Sequence, residues 1–300
     1  MQQNRPFPKN GVFYYVGDQL VPEKNLAFDA LYLLYYRYIG RFARFFLKRK
    51  TAGKAMGWYH KRPASRHLIK PFIEEYQIGM HDFVQPVAGY SSFNDFFIRR
   101  LQTNARPLPA DKSIPVSPAD AKLFVLPNVT ERTHFFAKDM PFSLKRFLGS
   151  ARLADFFAHG TLCMFRLAPY DYHRFHSPVD GIIEHLIRLP GTLESVNPIS
   201  FLAGYQPLTS NERVLMILRS ERHGLVAVMA VGALFVGSIH LTCKLGDKLQ
   251  RGDEMGYFAF GASTVVVLFQ AKMMIPHDVF VQHSLQGYET AIKMGEALTN

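Results

Sequence analysis

The spacing of apolar positions along the chain changes character twice. Over residues 25–50, Phe28, Tyr32, Tyr35, Ile39, Phe42 and Phe46 recur at intervals of three and four, and Arg37, Arg41, Arg44 and Lys48 fall on the opposite side. That period predicts an amphipathic helix with one aromatic and one cationic face. Further basic and aromatic residues follow around Trp58, Tyr59, Lys61 and Arg62, and again around Arg66 and Lys70. At Ser92 a capping hydroxyl, with Asp95 three residues on as a shorter stand-in for the usual glutamate, predicts a short helix.

Beyond Pro107 the pattern becomes that of strands and turns. Strands are predicted over 122–126, 162–167, 181–189, 214–219, 226–239, 254–260 and 264–269, with short helices over 143–148 and 153–159. The whole predicts an α+β chain: a helical, basic segment over 1–85 and a mostly antiparallel, sandwich-like β core over 86–300. The segment 246–256 resembles hairpins of lipoyl- and biotinyl-type barrels, but its tip offers no lysine in a modifiable context, so it supports the β core and not a carrier site.

Composition narrows the class. With 48% hydrophobic and 20% charged residues among 300, the chain can bury a sizeable core. A net charge of +11 calls for an anionic partner, and no nucleic-acid module accompanies it, so nucleic acid ranks last among the candidates. The two cysteines, Cys163 and Cys243, have no paired spacing, which argues against a disulfide scaffold and for a reducing compartment. No signal-peptide-like stretch occurs over 1–9, and the nearly uncharged run 225–239 is too short to span a bilayer, so the chain is expected to be non-transmembrane. For the N-terminal helix two readings stay open: its aromatic face packs on the core, or it lies at a lipid interface with its cations among anionic headgroups.

Three places carry candidate chemistry. Tyr172-His173-Arg174-Phe175-His176 sets two histidines three apart, suited to a general acid/base pair; a metal reading lacks a third ligand at a persuasive spacing, so no metal is expected. Asp120 follows Pro118-Ala119, where an aspartate most often shapes a turn. Ser263 lies in Gly261-Ala262-Ser263-Thr264, a small-residue turn before an apolar run. The order Asp, His, Ser permits a triad, but the Gly-x-Ser-x-Gly elbow of a hydrolase is missing and the serine precedes a strand instead of a helix.

Taken together, Ser92-Phe93-Asn94-Asp95-Phe96-Phe97, the Pro-Ala-Asp turn at Asp120, Tyr172 to His176, Gly191-Thr192-Leu193-Glu194-Ser195-Val196-Asn197-Pro198, the Val231-Gly232-Ala233 and Val236-Gly237-Ser238-Ile239 pair, and Phe260 to Thr264 resemble phosphatidylserine decarboxylase of the short, chlamydia-like bacterial type. The resemblance runs in order from about residue 90 to 269. It implies a proenzyme that cuts itself between Ala262 and Ser263 into chains 1–262 and 263–300, which remain together as a heterodimer. On that analogy Asp120 and His176 activate Ser263, whose hydroxyl attacks the carbonyl of Ala262; β-elimination and hydrolysis then leave a covalent pyruvoyl group at position 263. The pyruvoyl carbonyl forms a Schiff base with the amine of phosphatidylserine and accepts the electrons released with CO2, and His173 protonates the carbon to give phosphatidylethanolamine. On the same analogy, replacing His173 by alanine spares cleavage and impairs turnover.

The resemblance also tips the N-terminal helix toward the membrane and implies a peripheral enzyme on the cytoplasmic side of the cell membrane, its higher oligomeric state left open. Two positions depart from the family's pattern. Ala262 stands where glycine usually precedes the cleaved serine, which predicts slower maturation, and Ala121 stands where glycine commonly follows the aspartate. Two rivals remain at this level: a Ser-His-Asp hydrolase that is never cut, and an inactive homologue that only binds anionic membranes.

Overall fold

The computed structural model describes residues 11–24, 28–130, 133, 142–234, 238–261 and 263–300. Its centre is a ten-stranded sheet. Two N-terminal strands, β1 (Phe13–Val16) and β2 (Gln19–Pro22), form one edge, and β3 (Ala121–Leu126) and β4 (Thr161–Leu167) lie further in. Later in the chain come β5 (Arg174–His176), β6 (Gly181–Leu189), β7 (Arg213–Ser220), β8 (Gly224–Gly232), β9 (Ile239–Leu241), β10 (Lys248–Leu249), β11 (Glu254–Phe258), β12 (Ser263–Phe269) and β13 (Glu289–Ile292). The large sheet runs β10-β6-β7-β8-β12-β4-β3-β13-β1-β2, and β5-β11-β9 form a second sheet. Among the described residues every pair of strands is antiparallel except β1 with β13.

Alternation along β12 sorts the core into two faces. Val265, Val267 and Phe269 join Phe165, Val228 and Met216 beneath the small sheet, whose Phe175, Met255 and Phe258 complete that layer. Val266 and Leu268 point the other way, to a layer closed by Phe147 and Phe157 of α6 (Leu144–Leu148) and α7 (Ala151–Phe157) and by Phe201 and Leu208 of α8 (Pro198–Leu202) and α9 (Pro207–Ser210), the α labels following chain order. A strand covered on both faces reads as a continuous apolar run, and each fully buried Val, Leu or Phe contributes about 1.5–3 kcal/mol. This is the α+β, mostly antiparallel, sandwich-like core predicted from the sequence.

The strand predictions agree to within a residue or two except at 226–239. There β8 ends at Gly232, and the chain resumes as β9 in the other sheet. The segment 246–256 similarly passes from β10 in the large sheet to β11 in the small one. Ala121, where glycine is usual, opens β3 opposite Ile292 and has no positive φ, so alanine is accommodated without strain.

The N-terminal part is not one helix. After the β1–β2 hairpin, α1 (Phe28–Tyr36) and α2 (Tyr38–Leu47) are separate, because Arg37 adopts an extended conformation (φ −106°, ψ 146°) and serves as the N-cap of α2. The two pack closely where Gly40 meets α1: a Cβ on Gly40 would stand 1.7 Å from the carbonyl oxygen of Leu33. Three more helices, α3 (Lys50–His60), α4 (Ile69–Tyr76) and α5 (Phe93–Phe97), continue toward the core, the last capped by Ser92, whose hydroxyl accepts from the Asp95 N–H at 3.2 Å. Asp95 itself reaches one residue further back than expected, to the N–H and hydroxyl of Ser91.

Candidate active site

Ser263 is the first residue of β12, paired across the sheet with Leu167 of β4 and Gly232 of β8, and its side chain is fully buried. By parity it lies on the same face as Val265 and Val267, under the small sheet. The chain just before it is held from several sides. The N–H of Phe260 donates to the Asn94 side chain at 3.1 Å, the Phe260 ring stacks on His60 at 3.9 Å, and Gly261 adopts φ 134°, a conformation open to glycine. Ala262, expected from the sequence to slow maturation, lies outside the described residues.

The imidazole that reaches Ser263 is His173. Its Nδ1 is 3.2 Å from the Ser263 Oγ, and its Nε2 is 3.0 Å from the carbonyl oxygen of Ala168. A carbonyl can only accept, so Nε2 carries the proton and Nδ1 presents a lone pair to the hydroxyl. Burial, reinforced by the charge of Arg99, drives the His173 pKa down to about 3, and the neutral ring is the one that fits. Phe97 stacks on the ring at 3.9 Å. The loop beneath it is braced by Arg99, which donates to the carbonyls of Tyr170 and Asp171 at 2.9 and 3.0 Å, and by Asp171, which pairs with Lys122 at 2.7 Å and accepts from the Ala168 N–H.

His176 and Asp120 sit elsewhere. The His176 Nδ1 donates to the carbonyl of Gly252 at 2.8 Å, which leaves Nε2 to accept the hydroxyl of Tyr172 at 3.0 Å. Burial lowers its pKa. Asp120 is held by a two-point contact with Arg106 (3.0 and 2.7 Å) and by the Met294 N–H at 2.9 Å. Burial alone would raise its pKa, but Arg106, Lys293 and the Met294 N–H together hold it below the ordinary value. Among the described residues no hydrogen bond joins Asp120 to His176, or either of them to Ser263. Of the four residues singled out from the sequence, Ser263 and His173 meet; Asp120 and His176 remain near neighbours that do not touch the hydroxyl. No group of three or more His, Cys, Asp or Glu among the described residues is arranged to hold a metal.

Sequence reasoning missed the groups that hold this pair: Asn94, Phe97 and Arg99. The first two lie in the motif around Ser92, where spacing announces only a helix and says nothing of what the helix holds.

A cavity of about 140 Å³ opens beside Gly261. Leu31 and Leu34 of α1, Val196 and Leu234 give it apolar walls, and Lys24, Ser195 and Asn197 supply polar atoms at its margin. At one side Arg166 joins two buried carboxylates, Glu23 at 2.9 Å and Glu289.

The family model described as phosphatidylserine decarboxylase matches residues 93–300, which contain Ser263, both histidines and the strands that position them. The chain belongs to the phosphatidylserine decarboxylase family. Its similarity to individual members extends over most of its length. It is 42% identical to the phosphatidylserine decarboxylase proenzyme of Chlamydia trachomatis serovar D over 251 residues, 84% of this chain and 83% of that one. It is 36% identical to the proenzyme of Fusobacterium nucleatum over 283 residues, 94% of each. It is 38% identical to phosphatidylserine decarboxylase proenzyme 3 of Schizosaccharomyces pombe over 244 residues, 81% of this chain and 25% of that longer protein. The family match agrees with the resemblance carried by the six sequence motifs.

Proposed function

We propose that this chain is the proenzyme of a pyruvoyl-dependent phosphatidylserine decarboxylase that forms phosphatidylethanolamine and CO2. The observation that carries the reading is the contact between Ser263 and His173, a buried hydroxyl facing the unprotonated nitrogen of a neutral imidazole, in a chain whose relatives are named proenzymes. The hydroxyl attacks the carbonyl of Ala262, the peptide bond before Ser263 becomes an ester, and elimination leaves residues 1–262 as one chain and 263–300 as the other. The amide nitrogen of Ser263 leaves as ammonia when the new terminus hydrolyses to a pyruvoyl group. Its carbonyl supplies the electron sink that decarboxylation of an amino acid needs.

The chain's own residues do the rest. His173 stands where it can exchange a proton with whatever occupies position 263, and turnover consumes one proton for each CO2 released. Phe97 and the Ala168 carbonyl fix its ring plane. Two readings divide the first proton transfer. In one, His173 Nδ1 takes the Ser263 proton directly. In the other, His176 does so with Asp120 behind it; the negative charge of Asp120 does favour protonated His176, but the ring must first leave Tyr172 and Gly252.

A lipid substrate calls for access from a membrane, and the aromatic side of α2 offers it. Tyr38, Ile39 and Phe42 are 89%, 81% and 71% exposed, with Phe45, Phe46 and Trp58 also open to solvent. Arg49 lies over the ring of Phe45 and Arg62 over that of Trp58, so cations flank the apolar surface. An apolar face with cations at its border suits insertion among anionic headgroups. No helix among the described residues is long and apolar enough to cross a membrane. On this reading the protein is peripheral, on the cytoplasmic side.

The test is an intact-mass spectrum with an assay of CO2 release from phosphatidylserine vesicles. A fragment of residues 263–300, lighter than its serine-headed form by one ammonia, and release of CO2 are expected. A chain that stays whole on long incubation yet reacts with a serine-directed phosphonate would point to the hydrolase instead; whole, inert and vesicle-bound, it would be the inactive homologue.

A further inference from the structure

Glu194 is a buried carboxylate, 4% exposed, that the chemistry at Ser263 does not use. It lies in the loop between β6 and α8, and its side chain is taken up by the N-terminal helices. Arg44 of α2 pairs with Oε1, the ammonium of Lys48 stands 3.8 Å from the same oxygen, and the Tyr35 hydroxyl of α1 donates to Oε2 at 3.1 Å. The backbone joins in: the Tyr35 oxygen accepts from the Ser195 N–H at 2.8 Å, and the Lys48 carbonyl accepts from the Leu193 N–H at 3.0 Å. Among the described residues Glu194 is the acidic partner of Arg44, whose guanidinium otherwise lies over the Tyr205 ring at 4.0 Å.

On its other side the same residue is tied to the reaction centre. Its N–H donates to the Asn211 side-chain oxygen at 2.8 Å, and the Asn211 amide donates to the carbonyls of Glu194 and Gly232, both at 2.7 Å. Gly232 is the register partner of Ser263. These parts all contribute to the cavity beside Gly261: Leu31 and Leu34 from α1, Ser195 and Val196 from the loop, and Phe260 with Gly261, together with Leu167 to Tyr170. One of its walls is therefore supplied by α1, which packs closely on α2 at Gly40. The inner side of α2 thus carries the ion-paired Arg44 beside Ala43 and Leu47, while its outer side is aromatic and open.

We propose that Glu194 is a positioning residue, clamping the α1–α2 hairpin onto the reaction centre so that the cavity beside Gly261 is shaped to receive an anionic phospholipid from the surface on which α2 is seated. This rests on the membrane reading given above. A buried carboxylate that organises three donors loses the arrangement when its charge is removed, because Arg44 is left without an acid.

The experiment compares wild type with Glu194→Gln on two substrates: phosphatidylserine in vesicles with phosphatidylglycerol, and short-chain phosphatidylserine below its micelle concentration. Co-sedimentation with the same vesicles and self-cleavage are recorded alongside. Glu194→Gln is expected to cleave itself and to lose at least tenfold in kcat/KM on vesicles, mainly through KM, while losing less than threefold on the soluble lipid. Arg44→Met should give the same selective loss, and the double variant little more, as for two groups acting as one. Glu184→Gln, which breaks an exposed ion pair with Arg219 in β7, is the control and should match wild type on both. If Glu194→Gln is uncut or aggregates, Tyr35→Phe, which deletes one hydroxyl, carries the same comparison.

A wild-type ratio of vesicle to soluble activity in these variants overturns the clamp. Failure of the wild type itself to bind the vesicles overturns the membrane reading instead, and the two failures are thereby told apart.

Discussion

The second helix, α2, and the strand β12 are both rich in apolar residues and treat them in opposite ways. In β12 five consecutive apolar side chains from Val265 to Phe269 are buried on both faces of the sheet, and the two small polar residues that open the strand, Ser263 and Thr264, are buried with them. In α2 the large apolar side chains Tyr38, Ile39, Phe42, Phe45 and Phe46 point outward, while the cation Arg44 turns inward to a carboxylate beside the partly buried Ala43 and Leu47. The contrast teaches that burial in this protein is apportioned by task. On the proposed function, a hydroxyl that must meet a neutral imidazole needs a dry, rigid setting, whereas a surface that meets lipid keeps its apolar groups outside and is fastened by its polar ones.

The strongest way to break that contrast is at its buried end. Ser263→Ala should leave a single uncut chain with no decarboxylase activity, read by intact mass and CO2 release. Normal turnover by that uncut variant would remove the mechanism altogether. His173→Ala comes next and should lower turnover by about 10²-fold or more, the usual scale for losing a positioned acid or base. The state of its chain divides the two readings of maturation: an uncut chain assigns the first proton transfer to His173, and a cut one assigns it to His176 with Asp120.

Acid should reach the buried end before the exposed one. His173 titrates near pH 3 in the folded chain and near about 6.5 when unfolded. Between those values the unfolded state binds a proton that the native state refuses, so stability falls as pH drops below about 6.5, by about 2 kcal/mol at pH 5 from this residue alone. His176, its pKa also lowered by burial, adds to the loss with the same sign. Asp120, held below its ordinary value, contributes stability that is kept above the unfolded value and lost only in stronger acid. Urea unfolding of the uncut Ser263→Ala chain from pH 7.5 to 5 measures the slope, and His173→Gln in that background should flatten it.

Two smaller effects sharpen the exposed end. Gly40→Ala ordinarily favours a helix by about 1 kcal/mol, but here the new methyl meets the Leu33 carbonyl, and a net destabilisation of about 1–3 kcal/mol is expected from thermal or urea melts. A stabilised variant would mean that α1 and α2 do not pack as described. Phe42→Glu should change folding stability by no more than about 0.5 kcal/mol, since the ring is mostly exposed. It should nonetheless weaken binding to anionic vesicles by about tenfold, the worth of one partly buried aromatic ring.

Much of the core was legible because its signal is local. Residues 264–269 read as a strand from an unbroken apolar run, and the cap at Ser92 read as a helix start. The β1–β2 hairpin was not legible: its strands are short and half-exposed, and β1 joins the sheet through β13, some 275 residues along the chain, a pairing no local pattern encodes. The break at Arg37 was hidden for the opposite reason, since the three-and-four spacing runs on across it while the backbone turns.

The candidate site was half legible. Motif order singled out Ser263, His173, His176 and Asp120, but it could not say which imidazole the hydroxyl meets. Two histidines three apart look equivalent in sequence. Their difference comes from the carbonyls of Ala168 and Gly252, which each claim one ring nitrogen and so decide where the free lone pair points.

By itself, then, the sequence determined the family, the strand-rich core, the candidate serine and the presence of a cationic, aromatic N-terminal helix pattern, because each is written in residue type and short-range spacing. Tertiary structure alone decided that His173 faces Ser263, that Asn94, Phe97 and Arg99 hold the site, and that Arg44 turns in to Glu194 while Phe42 turns out. These outcomes depend on contacts between residues as much as 166 positions apart, and such contacts exist only once the chain has closed on itself.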